Sequence, residues 1–242
     1  MATWLAHLRI AEKVFAEIDG LDQSLFYVGN IAPDSGLPDE NWETFDPPTE
    51  VTHFKAPDTS FYYAQDLEFY RQYLQNGVSL ETDHARFSFL LGYFFHLIVD
   101  NLWDNHFDKP LRKKYKKEFA ADPKFIWETK LDTYGVDHVF LRDQPKSEFW
   151  QLFVNAHYDK EYLSHLSAKA INHRIAYIKD YYQTETDEVR AMFKCPFIYL
   201  DQQGMISLID QFTQTLLQIY QLIWQKKQPL TGKDSMLEMF SN

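Results

Sequence analysis

A histidine and an aspartate four residues apart stand inside the most apolar stretch of the chain. His96 and Asp100 lie within residues 87–103, where most other side chains are aromatic or aliphatic. An interval of four residues places both side chains on one face of a helix, one turn apart. A buried imidazole and a buried carboxylate need partners, because an unpaired charge in a core is costly. Two explanations are open from this pair alone: a divalent metal held by both groups, or a hydrogen bond between them.

Further residues that commonly bind metals are spread along the chain. His7 stands among apolar residues, Asp34 follows a proline, and His53 comes later in the same irregular region. His106 follows Asp100 by six residues, where the helix is expected to end. Each residue alone is ordinary. Together they supply the nitrogen and oxygen ligands that a site for several zinc ions needs.

The ordered series resembles the pattern of the zinc-dependent phospholipase C family, which shares its fold with the fungal single-strand nucleases. The matching elements in chain order are His7, Pro33-Asp34, His53, His96-x-x-x-Asp100, His106 and His157-Tyr-Asp-Lys-Glu161. The specificity of the match lies in this order and in the unusual interval between Asp100 and His106. On this resemblance the chain is identified as a cytoplasmic, bacterial-type member with an all-α fold.

The resemblance implies two or three zinc ions as cofactors. The first position would use Asp34, His53, His96 and Asp100, the second His106, His157 and Glu161, and the third His7 with the shared Asp100. For the second position, the spacing of one helical turn favours His157 and Glu161. The alternative is that Asp132 or Asp137, from the segment 128–141, completes it.

The third position departs from the family pattern. In secreted relatives the amine and carbonyl of a processed N-terminal tryptophan complete it, whereas Trp4 is internal in this sequence. Removal of Met1 would expose the amine of Ala2, five residues before His7. We treat that amine as a hypothetical substitute.

The resemblance also implies the reaction. A metal-bound hydroxide would hydrolyse a phosphodiester bond in a phospholipid-like or nucleotide-like substrate. Asp34 is the expected catalytic residue, which orients or deprotonates the attacking water. A different class of function stays open, namely a non-catalytic, metal-stabilised helical binding protein derived from the same family.

Composition limits the partners. The formal charge of −11 disfavours stable nucleic-acid binding, which needs clustered cations. The apolar stretch 87–103 is too short and too polar to span a bilayer, and no basic start precedes an apolar run, so we expect a cytoplasmic protein. The expected partner is a small phosphoester or lipid headgroup; the oligomeric state is open.

Aromatic residues are concentrated in segment 42–73. Two explanations are open: they line a pocket for a headgroup, a choline-like cation or a base, or they pack into the core.

Helical spacing predicts the elements that position these residues. The predicted helices are 2–18, 60–76, 79–107, 111–121, 146–165, 168–182 and 205–225. Segment 122–144 is ambiguous. Segment 29–60 contains half of the chain's ten prolines and no sustained period, so it is predicted as a long irregular loop carrying Asp34 and His53. The sequence therefore predicts one all-α, multi-helix domain over residues 1–242 with an elaborate metal-site loop.

Overall fold

Helices make up nearly all of the regular structure. The computed structural model describes residues 1–55, 63–75, 77–122, 124–194 and 196–240. In these ranges the helices are α1 (Trp4–Phe15), α2 (Gln23–Gly29), α3 (Thr49–Thr52), α4 (Asp66–Tyr73), α5 (Leu80–Trp103), α6 (Lys109–Lys114), α7 (Lys116–Ala121), α8 (Phe125–Asp143), α9 (Glu148–Val154), α10 (Ala168–Gln183), α11 (Asp187–Met192) and α12 (Gln202–Tyr220). A two-stranded antiparallel ribbon pairs β1 (Leu37–Pro38) with β2 (Phe45–Asp46). The predicted all-α class is confirmed.

Two of the predicted elements differ from the structure. The ambiguous segment 122–144 is largely the helix α8. The predicted helix 146–165 is wrong beyond Val154, where α9 ends, and residues 156–163 are not helical. The predicted start of helix 60–76 lies outside the described residues. That residues 1–242 form a single domain stays a prediction.

The long irregular loop contains short local structure. A turn of 3-10 helix, Ala32–Asp34, follows α2, and the ribbon and α3 come after it. Pro33 lies in the first turn of that 3-10 helix, where a missing N–H costs nothing. Asp34 therefore lies in the 3-10 turn, and His53 lies at the end of α3.

Helix α5 is the central element of the core. It begins at a capping box, in which Ser79 and Thr82 each accept the backbone N–H of the other. All residues from Phe87 to Trp103 are buried. In the described part of the chain, no helix has both the length and the apolar character needed to cross a bilayer.

Glycines let α2 approach α5 closely. A Cβ on Gly92 would overlap the carbonyl oxygen of Phe26, and a Cβ on Gly29 would overlap that of Phe89. This close crossing brings the carbonyl of Asn30, at the end of α2, to 2.7 Å from the Nδ1 of His96. The glycine contact therefore sets the orientation of a candidate metal ligand.

We expect Gly92→Ala to lower the free energy of unfolding by about 1–3 kcal/mol, the usual cost of overpacking a core. The affinity for zinc should fall as well, because the added methyl group pushes the Asn30 carbonyl away from His96. Urea denaturation and a zinc-competition titration measure the two effects. Gly77→Ala is the matched control, since a Cβ at Gly77 meets no atom within 4 Å. Equal stability of Gly92→Ala and the parent would contradict the interpretation.

Candidate metal centre

Five of the residues singled out in the sequence lie together against α5. His7 comes from α1, Asp34 from the 3-10 turn and His53 from the end of α3, while His96 and Asp100 belong to α5 itself. Four of these side chains are at most 2% exposed, and that of Asp34 is 13% exposed. The spacing of His96 and Asp100 thus identified a buried polar pair, around which the fold gathers His7, Asp34 and His53.

The ligand nitrogens of His53 and His96 approach tetrahedral zinc spacing from each other and from the carboxylates of Asp34 and Asp100. The Nε2 atom of His53 lies 3.3 Å from Nε2 of His96, 3.4 Å from Oδ1 of Asp34 and 3.5 Å from Oδ2 of Asp100. From Nε2 of His96, Asp100 Oδ2 is 3.6 Å away and Asp34 Oδ1 is 4.0 Å away. Ligands about 2.0–2.1 Å from a tetrahedral zinc ion stand about 3.3 Å apart, so these distances fit zinc after small adjustments.

Backbone carbonyls fix the orientation of two imidazole rings. The Nδ1 of His96 contacts the carbonyl of Asn30, and the Nδ1 of His53 lies 3.2 Å from the carbonyl of Thr49. A carbonyl oxygen only accepts hydrogen bonds, so the Nδ1 of His96 is assigned the proton. The Nδ1 of His53 also lies 3.0 Å from the hydroxyl of Thr52, which itself donates to the carbonyl of Thr49 and can accept a proton from the ring. Each Nε2 then points into the cluster, which is the arrangement of metal-bound histidines with a carbonyl behind them.

His7 lacks the hydrogen bonds that a buried imidazole needs. Its ring stacks on that of His96 with centroids 3.9 Å apart, and neither ring nitrogen has a hydrogen-bond partner among the described residues. Its Nε2 is 3.4 Å from Oδ1 of Asp100, although the geometry is not that of a hydrogen bond. An orphaned buried nitrogen is costly, and a metal ion shared with Asp100 would satisfy it. The residues present therefore fit zinc.

The backbone near the chain start also reaches Asp100. The amide nitrogen of Ala2 donates to Oδ1 of Asp100 at 3.2 Å, on the same side as His7. Asp100 thus directs one oxygen toward His53 and His96, and the other toward His7 and Ala2. The role of the Ala2 nitrogen as a ligand stays a prediction.

Burial and the opposite charges of neighbouring side chains shift the pKa values of the cluster in opposite directions. Burial opposes a charged His53 ring, but the carboxylates of Asp100 and Asp34 outweigh burial and raise the pKa of His53 to about 9. Burial also acts against the two carboxylates, yet the rings of His96 and His53 hold the pKa of Asp34 and of Asp100 below the usual range. Burial, aided by His96, lowers the pKa of His7 to about 4. Without metal, a proton on His53 holds the carboxylates together.

Zinc binding at pH 7.5 should therefore release about one proton per chain, because the metal must displace the proton from His53. His7 contributes none, since its lowered pKa leaves it neutral at that pH. Raising the pH through about 9 removes the competing proton, so the part of the release that comes from His53 is lost and only protons from zinc-bound water remain. Calorimetry in buffers with different ionisation enthalpies measures the release. A release that is the same at pH 7.5 and at pH 10 would contradict this assignment.

His106 does not join the cluster. It is exposed, and its Nδ1 contacts the side-chain amide of Gln211 at 3.3 Å. The α-helix α5 ends at Trp103, close to the expected end, and the chain continues through a π-helical segment, Asp104–Asp108, into α6. Along this path the side chain of His106 reaches the surface, where it contacts Gln211 instead of the cluster around Asp100.

His157 and Glu161 are not brought to the cluster either. Both are exposed and lie in a non-helical segment, so the argument from helical spacing does not apply to them. The side-chain amide of Asn172 pairs with both the N–H and the carbonyl of Tyr158. This tertiary contact satisfies backbone groups that a helix would otherwise have to satisfy.

The alternative ligands of the second position are engaged elsewhere. Asp132 accepts the backbone N–H of Tyr199 at 2.6 Å, and Asp137 accepts the hydroxyl of Tyr182 at 2.8 Å. Burial raises the pKa of Asp137 to about 7. Among the described residues, the groups with metal-ligand spacing are His7, His96 and Asp100, and Asp34, His53 and His96.

A cavity of about 190 Å³ adjoins Asp34. Sequence reasoning missed two of its cationic wall residues, Lys130 of α8 and Arg174 of α10. Neither belongs to a motif, and the segment that carries Lys130 had no clear period. No local signal in the sequence connects them with the metal centre.

One comparison with known proteins identifies a family. The family model for zinc dependent phospholipase C matches residues 6–188, a range that contains all the clustered side chains. Neither the search of curated proteins nor the search of solved structures found a match.

Proposed function

The chain belongs to the zinc-dependent phospholipase C family, and from that premise we propose that it is a zinc-dependent phosphodiesterase. The substrate is a phospholipid-like or nucleotide-like phosphodiester. The observation that carries the proposal is the buried cluster of His7, Asp34, His53, His96 and Asp100. Two triads in it, His7 with His96 and Asp100 and Asp34 with His53 and His96, have metal-ligand spacing, and neither ring nitrogen of His7 has a hydrogen-bond partner among the described residues. A metal-dependent, phospholipase-like hydrolase is the class that the family match and this cluster support together.

Two metal positions are proposed. Asp34, His53, His96 and Asp100 would hold one ion, and His7 with the second oxygen of Asp100 would hold another. Bound zinc supplies Lewis acidity and a water that ionises near neutral pH. A third ion is not part of the proposal, because His106, His157 and Glu161 are exposed and absent from the described clusters.

Asp34 is proposed to act on the attacking water. Of the five clustered side chains it is the most exposed, and it lines the cavity through which a substrate would enter. One carboxylate oxygen faces His53 at 3.4 Å, which leaves the other available to accept a proton or to orient a water. The remaining side chains of the cluster are buried, so they exclude bulk water from the far side.

Metal content per chain tests the proposal first. Protein purified without added zinc is analysed by elemental mass spectrometry and then assayed with bis(4-nitrophenyl) phosphate and with phospholipid vesicles. We expect about two zinc ions per chain and hydrolysis of a diester that a chelator abolishes. Failure to bind zinc even after reconstitution would refute the proposal.

The non-catalytic alternative has one observation in its favour. The residues that the resemblance placed at the second position, His106, His157 and Glu161, are not assembled. A metal-stabilised binding protein would hold zinc, lose thermal stability on chelation and hydrolyse no diester. The same assays therefore separate the two functions.

A further inference from the structure

The cavity beside Asp34 is lined by cations as well as by the metal centre. Lys130 of α8 and Arg174 of α10 form parts of its wall, together with Trp4 and Phe45. The two cations come from helices that are distant in sequence. Their approach to one cavity is therefore a product of the tertiary fold.

Arg174 is buried, and none of the described carboxylates forms an ion pair with it. It is 6% exposed, and its Nε atom is buried with no hydrogen-bond partner in the described part of the protein. The guanidinium carbon lies 5.5 Å from the ring centres of Trp4 and Tyr177 and 5.9 Å from that of Phe45. The aromatic rings stabilise the positive charge of the guanidinium. They offer no acceptor atom to its N–H groups, which lie in the plane of the guanidinium. A buried, charged donor of this kind calls for an acceptor in the cavity.

Lys130 is half-buried and shares the cavity wall. Its ammonium lies 4.7 Å from the centre of the Trp127 ring, and no carboxylate of the described residues is within 4.0 Å of it. Burial lowers the pKa of Lys130, although Asp108, Asp34 and Asp100 act from farther away to raise it. Two of these three carboxylates belong to the proposed metal centre. Once they bind zinc, they no longer balance the charge of Lys130.

We propose that Lys130 and Arg174 form an anion-binding subsite that takes a phosphate group of the substrate beside the metal centre. Arginine presents planar donors that match phosphate oxygens, and lysine adds a point charge. The same geometry argues against a choline-like headgroup, because the aromatic faces that could hold a quaternary ammonium are already covered by the guanidinium of Arg174. This inference rests on the proposed function and narrows its substrate to one with an anionic, phosphate-bearing end.

Calorimetric titration with inorganic phosphate tests the subsite. The zinc-loaded parent, Arg174→Gln, Lys130→Gln and the double variant are compared, with zinc content measured on each sample. Each single variant should weaken phosphate binding by about tenfold, the usual loss of one charge-assisted hydrogen bond, while zinc content stays unchanged. Lys169→Gln on α10 is the matched control, because Lys169 is exposed and outside the cavity. Tetramethylammonium serves as the choline mimic and should not bind.

The outcomes separate this inference from the proposed function. Phosphate binding that is unchanged in both single variants at equal zinc content overturns the subsite and leaves the zinc enzyme standing. Tetramethylammonium binding that Arg174→Gln does not alter overturns it as well. If the parent holds no zinc, the proposed function fails, and the titration is repeated on the metal-free protein. Because Asp34 and Asp100 balance Lys130 in the metal-free protein, the repeat also uses Asp34→Asn with Asp100→Asn; phosphate binding to that variant that Lys130→Gln weakens upholds the subsite, and no binding to it overturns the subsite. Lys130→Gln also decides the question if Arg174→Gln does not fold, since Lys130 is only half-buried.

Discussion

Replacement of Asp100 by asparagine is expected to deprive the protein of zinc. One oxygen of Asp100 lies 3.5 Å and 3.6 Å from the Nε2 atoms of His53 and His96, and the other lies 3.4 Å from that of His7. Asparagine keeps the size of the side chain but removes the charge that both proposed positions share. Mutation of a residue that only hydrogen-bonds a metal ligand lowers metal affinity by up to about 100-fold. Because Asp100 is itself a proposed ligand, the affinity for zinc should fall by more than that.

Zinc content by elemental mass spectrometry, followed by competition with a chromophoric chelator, measures the effect. Asp104→Asn is the matched control. Asp104 is a buried carboxylate one turn farther along, paired with Lys109 at 2.9 Å and outside the described ligand groups. Full zinc content in Asp100→Asn would show that the cluster does not bind metal through this residue.

Asparagine at position 34 is expected to lower kcat for diester hydrolysis by about 10²–10⁴, the range that a positioned general base contributes. Asparagine retains a hydrogen-bonding side chain but accepts no proton from water at neutral pH. Because Asp34 is also a proposed ligand, the rate is measured at saturating zinc with metal content determined in parallel.

Asp39→Asn controls for a general effect of charge in the same loop. Asp39 is exposed and accepts hydrogen bonds from Asn41 and Thr44, so its replacement should leave kcat unchanged. A rate for Asp34→Asn equal to that of the parent, at equal zinc content, would remove Asp34 from the reaction and leave it at most a ligand.

The local sequence predicted the structure correctly wherever the interactions that determine it are local. The all-α class follows from helical periodicity, and the common face of His96 and Asp100 follows from an interval of four residues in a helix that is buried from Phe87 to Trp103. The loop 29–60 could be predicted from its prolines and its lack of a period. That its residues Asp34 and His53 contact the same helix face was expected from the family resemblance, since spacing alone does not bring a loop to a helix.

Local sequence failed where distant contacts choose the conformation. His157 and Glu161 have a helical interval, but the side chain of Asn172 holds Tyr158 in a non-helical segment. His106 has the interval of the family, but the continuation of α5 into a π-helical segment turns it to solvent. An argument from residue spacing assumes a particular backbone conformation between the two residues. In both cases other parts of the fold determine that conformation.

The sequence by itself determined the helical class, the polar pair within an apolar helix and the set of residues able to bind zinc. The family resemblance grouped Asp34, His53, His96 and Asp100, but the tertiary structure decided which of the candidate residues meet, because α1, the 3-10 turn, α3 and α5 are brought together by packing. It also decided what surrounds them: the Asn30 carbonyl behind His96 depends on the glycine contact of α2 with α5. The cations Lys130 and Arg174 reach one cavity from separate helices. Packing of distant segments has no local signature, since its free energy comes from surfaces that become neighbours only in the folded chain.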